Sequence, residues 1–213
     1  TTAQNQNLSS KDLYFEPTLS ENNGNKVLSM KLKTSENAYL EYVYTLPKEG
    51  YMLDVAVRSQ GLSGVVNTSK PMNIDWKLQA RRMEKSVTYE NRYTQATVQY
   101  DGDRINRLSQ GGNDEQKEEK VNWVAYKQHL FTSVLISDNP FAKGDFVSHN
   151  IAMSEGKDVK YTKNFLTSLP IQAKSGELSE SLHFYFGPSD YNVLKQYNDK
   201  YELTELIPLG WGI

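Results

Sequence analysis

The chain contains no cysteine. That excludes disulfides, thiolate zinc sites, iron–sulfur clusters and cysteine nucleophiles together. Histidine is scarce: His129, His149 and His183 stand 20 and 34 residues apart, too far for the local spacing of a metal site. An excess of one charge is also missing. Lys and Arg number 24 against 26 Asp and Glu, for a net charge of -2. A polyanion binder acting by bulk attraction is thereby disfavoured, and nucleic acid is not an expected partner. Long hydrophobic runs are absent too. Stretches such as Val134-Leu135-Ile136 fall far short of the ~18 residues that a membrane helix needs. The opening TTAQNQNLSS is polar and does not read as a signal peptide, which is no sign of a cytosolic protein.

What is present points to β structure. Leu, Val, Ile and Phe make up about 23% of 213 residues, enough for a core. A chain of this length suits one large all-β domain or two small ones, and the lack of a Pro- or Ser-rich linker favours one. Tyrosine is abundant, 14 against 7 Phe and 3 Trp, and it accompanies period-2 alternation. Residues 38–44 read as a strand that ends before Pro47. Leu53, Val55 and Val57 share one face of the next. Ile74, Trp76, Leu78 and Ala80 share a face opposite Asn73, Asp75, Lys77 and Gln79, and Thr94, Ala96, Val98 and Tyr100 share another. Asp101-Gly102 between alternating runs predicts a hairpin turn, because both central residues of a type I′ turn need positive φ. Further turn clusters fall at 21–25, 48–50, 60–61 and 110–113, the short rhythm of a sandwich or barrel. The charge run NDEQKEEK at 113–120 reads as a solvated loop. Arg81-Arg82, Glu84-Lys85 and Glu90–Arg92 read as a mixed-charge strand pair on the surface.

The last thirty residues differ. Leu182 to Phe186 reads as a buried strand, and Gly187-Pro188-Ser189-Asp190 as a helix start with Asp where the dipole favours negative charge. Tyr191, Leu194 and Lys195 have helical spacing, as do Leu203, Leu206 and Ile207, so two short helices are expected. The apolar ending Leu209-Gly210-Trp211-Gly212-Ile213 leaves two readings open: a membrane segment follows it, or it packs back on the domain.

Residue chemistry offers no catalytic constellation. There is no GxSxG elbow, no GxxxxGK[ST] and no GxGxxG. Asp101-Gly102-Asp103 starts like a calcium loop, but Ile105 occupies the next ligand position. Trp76 and Trp123 lie in apolar alternation and are expected in the core, with a carbohydrate-stacking platform as the alternative. No cofactor, metal or catalytic residue is expected.

Several ordered strings carry a family resemblance. Ile74-Asp75-Trp76-Lys77-Leu78-Gln79-Ala80-Arg81-Arg82-Met83-Glu84-Lys85, followed by Tyr93-Thr94 and Val98-Gln99-Tyr100, resembles the middle of the large periplasmic domain of the bacterial membrane protein insertase YidC. Val121-Asn122-Trp123-Val124-Ala125-Tyr126-Lys127-Gln128-His129-Leu130-Phe131 is similar to that family's WVAxxQQxF strand, with His129 and Leu130 as departures. Phe184 to Tyr191 resembles its yfGPkdy motif, and Leu209-Gly210-Trp211 the element leading into a transmembrane helix.

The resemblance implies a twisted, galactose mutarotase-like β-supersandwich over 1–186. A helical element at 187–213, within the same domain, would lead toward the membrane. It implies the periplasmic face of the inner membrane of a Gram-negative bacterium, flanking transmembrane helices, and contact with SecF of SecDF and with the Sec translocon. It marks Gly187, Pro188, Tyr191, Leu194, Tyr197, Leu203, Leu206, Leu209, Gly210 and Trp211 as the functional C-terminal element, and Trp76, Trp123, Tyr126, Gln128 and Phe131 as the family motif. The function it implies is non-catalytic support of membrane-protein insertion and folding. Two alternatives remain from the residues. One is a sandwich module binding a carbohydrate or peptide as an extended ligand in a groove. The other is a mutarotase-like epimerase, which needs a Glu and a His converging in a cleft.

Overall fold

The computed structural model describes residue 2 and residues 6–152 and 159–207. Among the described residues eleven strands dominate, so the all-β class expected from the alternation holds. They are β1 (Glu16–Asn22), β2 (Asn25–Ser35), β3 (Ala38–Leu46), β4 (Met52–Gln60), β5 (Met72–Arg81), β6 (Gln95–Tyr100), β7 (Arg104–Arg107), β8 (Asp114–Lys127), β9 (Phe131–Asn150), β10 (Tyr161–Ile171) and β11 (Ser179–Pro188). Among the described residues three short α-helices accompany them: α1 (Val87–Tyr93) between β5 and β6, and α2 (Tyr191–Lys195) and α3 (Asn198–Tyr201) after β11. The residues form two compact units interleaved along the sequence. One comprises Thr1–Ile74, Ser137–Asn139 and Pro170–Phe184; the other comprises Asp75–Ile136, Pro140–Leu169 and Tyr185–Ile213.

The first unit is an antiparallel meander, β1-β2-β3-β4, with β11 beside β4. Its first hairpin turns tightly, since Asn22 pairs with Asn25 and the two residues between them have positive φ (Asn23 51°, Gly24 81°). Asn and Gly tolerate that conformation, and the turn's twist matches the strands. Val55 and Val57 are buried and Leu53 half-buried, as the period-2 pattern requires. His183 lies in this unit with both ring nitrogens engaged: Nδ1 is 2.6 Å from Asp54 Oδ1 and Nε2 3.1 Å from Asp138 Oδ1.

The second unit holds most of the core. Strand order β9-β8-β6-β7 is antiparallel throughout, and β10 pairs with β9 and with β5. β5 alternates between half-buried or buried Ile74, Trp76, Leu78 and Ala80 and exposed intervening residues, as expected. β6 departs from the expected single face. Thr97 and Gln99 are buried as well as Ala96 and Val98, so both faces of β6 are covered, while β7 and β8 pair along its two edges. Asp101 and Gly102 do take positive φ, 46° and 92°, in a turn closed by the pair Tyr100 and Arg104.

Two readings of charged segments are overturned. Residues 114–120 are not a loop but the first half of β8. There Lys117 pairs with Asp145 of β9 and bonds it at 3.0 Å, so cross-strand charge complementarity replaces apolar burial. Residues 82–92 are not a strand pair. After β5 the chain turns into α1, capped by Ser86, whose Oγ accepts from the Tyr89 amide at 3.2 Å. Glu90 is fully buried in that helix, and its carboxylate accepts from the amides of Met83 (2.8 and 3.0 Å) and Glu84 (3.1 Å). A carboxylate buried with its lone pairs filled by backbone donors costs little. Read along the chain, the same residue looks like surface charge.

Lys163 of β10 is also fully buried, and its ammonium donates to the Gln110 carbonyl at 2.6 Å. Burial without a carboxylate partner lowers its pKa to about 8.

Candidate functional site

The C-terminal segment of the second unit is where the two groups of singled-out residues meet. β11 ends at Pro188, one residue beyond buried Gly187. The expected helix start at Pro188 is therefore displaced. The proline closes the strand, and Asp190 caps α2 by accepting from the amides of Asn192 (2.8 Å) and Val193 (3.1 Å). A buried strand throughout Leu182–Phe186 is likewise corrected. Leu182 and Tyr185 are buried, but Phe186 is 48% exposed.

Three short turns follow rather than two helices. Gln196 and Tyr197 separate α2 from α3, and Glu202, whose φ of 54° is left-handed, separates α3 from a 3-10 turn at Leu203–Leu206. The left-handed residue ends α3 and redirects the chain, so the 3.6-residue spacing never extends into one long helix. Asn198 Oδ1 holds the bend by accepting from the Thr204 amide (3.1 Å) and hydroxyl (2.6 Å). Leu194, Leu203 and Leu206 are buried, and each is worth about 1.5–3 kcal/mol of transfer from water. Tyr191 and Tyr197 are half-buried, with the Tyr197 ring edge-on to Tyr185 at 5.4 Å. Leu209, Gly210 and Trp211 lie outside the described residues.

The family-motif strand β8 secures this element. Trp123 is buried, and its Nε1 donates to the Tyr201 carbonyl at 2.9 Å. Gln99 Nε2 donates to the Glu202 carboxylate at 2.6 Å. Arg107 donates to the Glu205 carbonyl at 2.7 Å and reaches its carboxylate at 3.6 Å. At the other end of β8, the Ser189 amide donates to Leu130 O (2.8 Å) and the Ser189 hydroxyl to Gln128 O (3.3 Å). The amide of Gln128 in turn donates to Phe131 O at 2.8 Å, which closes the β8–β9 turn. Trp123 and Gln128 thus meet the C-terminal element directly.

Tyr126 and Trp76 belong to a different cluster. The Tyr126 ring stacks between Trp76 (4.1 Å) and Phe165 (4.8 Å), and its hydroxyl donates to Thr167 Oγ1 at 2.6 Å. Burial raises the Tyr126 pKa well above the usual phenol range. One Trp76 face packs against Tyr126, but the indole is half-buried rather than fully in the core. Phe131 is not a core residue, being 56% exposed.

Sequence reasoning missed Gln99, Arg107, Glu202 and Glu205. They are polar groups whose partners lie about a hundred residues away, so no local signal marks them. Among the described residues, no group of three or more His, Cys, Asp or Glu is placed to hold a metal, and no helix is long and apolar enough to cross a membrane.

A family model described as "YidC periplasmic domain" matches residues 1–212. The chain is 31% identical to the membrane protein insertase YidC of Bacteroides fragilis over 212 residues, 97% of this chain and 33% of that protein. It is 33% identical to the Parabacteroides distasonis protein of the same name over 220 residues, 100% of this chain and 34% of that protein. Among solved structures, the galactosidase domain of the alpha-galactosidase-sucrose kinase AgaSK aligns at a TM-score of 0.45 and 8% identity, over 84% of this chain and 26% of that one. The chain spans about a third of the length of the curated relatives it matches. The family resemblance of the Trp76 and Trp123 strings and of the Gly187-Pro188 motif therefore holds over the whole chain, which belongs to the YidC periplasmic domain family.

Proposed function

We propose that this domain is a non-catalytic scaffold on the periplasmic face of a Gram-negative inner membrane. Its C-terminal element, residues 187–207, transmits position rigidly between the β strands and the membrane-embedded part of a membrane protein insertase. The observation that carries this reading is the bond from Trp123 Nε1 to Tyr201 O, together with buried Leu194, Leu203 and Leu206. An element so short has no stability of its own. It keeps its shape only while docked, so its orientation follows the strands. SecF of SecDF and the Sec translocon are the partners this reading names.

The test is complementation of an insertase-depleted strain by the full-length protein carrying Leu194→Asp and Leu206→Asp, with its membrane level checked by immunoblot. Normal protein level with lost growth is the expected result. Full growth would sink the coupling idea. Site-specific crosslinking from Tyr191 and Lys195 would identify the neighbour, with SecF as the expected adduct.

A further inference from the structure

The second unit carries an apolar surface beside the coupling element, whose Ser189 amide bonds only the backbone of Leu130 there. Met83 and Tyr89 are exposed beside the capped start of α1, and Tyr93 at its end. The Tyr89 and Tyr93 rings lie 5.0 Å apart, and the His129 ring stacks on Tyr93 at 4.5 Å. His129 also holds Glu84 through Nδ1 at 2.9 Å. These contacts bring α1 up to the β8–β9 turn, where Leu130 and Phe131 follow His129 with 54% and 56% exposure. Tyr89, Tyr93 and His129 thus form one ring cluster, with exposed Met83 ahead of α1 and exposed Leu130 and Phe131 next to His129 in the chain.

Along α1 and the segment before it, cations outnumber carboxylates, while the exposed Asp190 carboxylate lies beyond Ser189 on the Leu130 side. The stretch 81–93 has four cations, Arg81, Arg82, Lys85 and Arg92, against two carboxylates, Glu84 and Glu90. Glu90 is buried on backbone amides and Glu84 is taken by His129, while Arg81, Lys85 and Arg92 face solvent. The chain as a whole is slightly acidic, at -2, so this cationic excess is local. Tyr, Phe and Leu accompanied by Arg and Lys is the chemistry that settles at a headgroup boundary: amphipathic rings at the interface and cations on lipid phosphates.

We propose that the surface formed by Met83, Tyr89, Tyr93, Leu130 and Phe131 docks on an anionic phospholipid bilayer. The rings and Leu130 enter the headgroup layer, and Lys85 and Arg92 pair with lipid phosphates. The site adjoins the coupling element at the Leu130 backbone but uses different side chains. It takes from the family assignment only that a membrane is at hand.

The test is flotation of the purified 213-residue chain with vesicles of phosphatidylcholine alone or mixed three to one with phosphatidylglycerol. The chain is expected to float with the mixed vesicles, and less so as salt rises. Lys85→Gln with Arg92→Gln is expected to weaken binding about thirtyfold, and Leu130→Ser with Phe131→Ser to abolish it. Leu19→Ser, at an exposed leucine of β1, is expected to change nothing. Circular dichroism melts keep the comparison to folded protein, and the two patch variants alter different exposed residues. Equal binding by all variants, or no preference for anionic vesicles, overturns the proposal. So does absence of vesicle binding alongside patch-dependent capture of an apolar transmembrane peptide in detergent.

Discussion

The indole of Trp123, in the middle of β8, is hydrogen-bonded to the backbone of Tyr201, the last residue of α3, across 78 positions of sequence. One buried donor thereby fixes the end of a four-residue helix that could not persist alone. Replacing Trp123 by Phe keeps most of the apolar volume and removes the donor. Loss of a bond to a shielded carbonyl is expected to cost about 1–3 kcal/mol. Urea denaturation measures the loss, and hydrogen exchange should show amides 194–206 opening before those of β8. Unchanged exchange there would mean the bond does not hold the element.

Leu194→Ala removes a fully buried side chain from α2. A truncation of this kind costs about 2–5 kcal/mol, the spread reflecting how far the site can collapse. Because α2 spans only Tyr191–Lys195, the cost should appear as undocking of the C-terminal element. A protease cutting near residues 196–202 should cleave the variant well before global unfolding, and wild-type resistance would contradict this.

Lys163 supplies a pH dependence of definite sign. Its folded-state pKa lies near 8, below the ordinary 10.5. Between those values the unfolded chain binds more protons than the folded one, so stability from this group rises with pH across that window. Below pH 8 both states are protonated and the full penalty, roughly 3 kcal/mol, is present. Lys163→Met is therefore expected to be more stable than wild type at pH 7. The advantage should shrink as pH approaches 10. Denaturation midpoints of the two proteins from pH 7 to 10 check it; a constant difference would show that the ammonium is not desolvated.

Gly144 lies in β9 where a side chain has no room. A Cβ there would stand 2.5 Å from Phe146 Cζ and 2.8 Å from Leu169 Cδ2. Both neighbours are buried and cannot swing out. Gly144→Ala is expected to destabilise by about 1–3 kcal/mol through overpacking. The matching check is Gly111→Ala, where nothing lies within 4 Å and a thermal melt should barely move.

The strands were legible because their signal is local. Alternation over Met52–Gln60 and Met72–Arg81 follows from the pleat, and positive φ at Asp101 and Gly102 follows from the turn. The family strings needed only order along the chain. Legibility failed where a charge has a distant partner or a buried lining. The run 114–120 became strand because Lys143–Ser148 of β9 lies beside it. Glu90 became helix interior because two backbone amides turn back on it.

By itself the sequence determined the all-β class, the turn positions and the family, since side-chain period and turn chemistry act between near neighbours. Only the tertiary structure decided that Trp123 and Gln128 hold the C-terminal turns, that Phe131 faces solvent, and that the rings of α1 meet His129 at the β8–β9 turn. Those outcomes depend on pairings between residues 30 to 100 positions apart. Their energy appears only when folding has already brought the partners together.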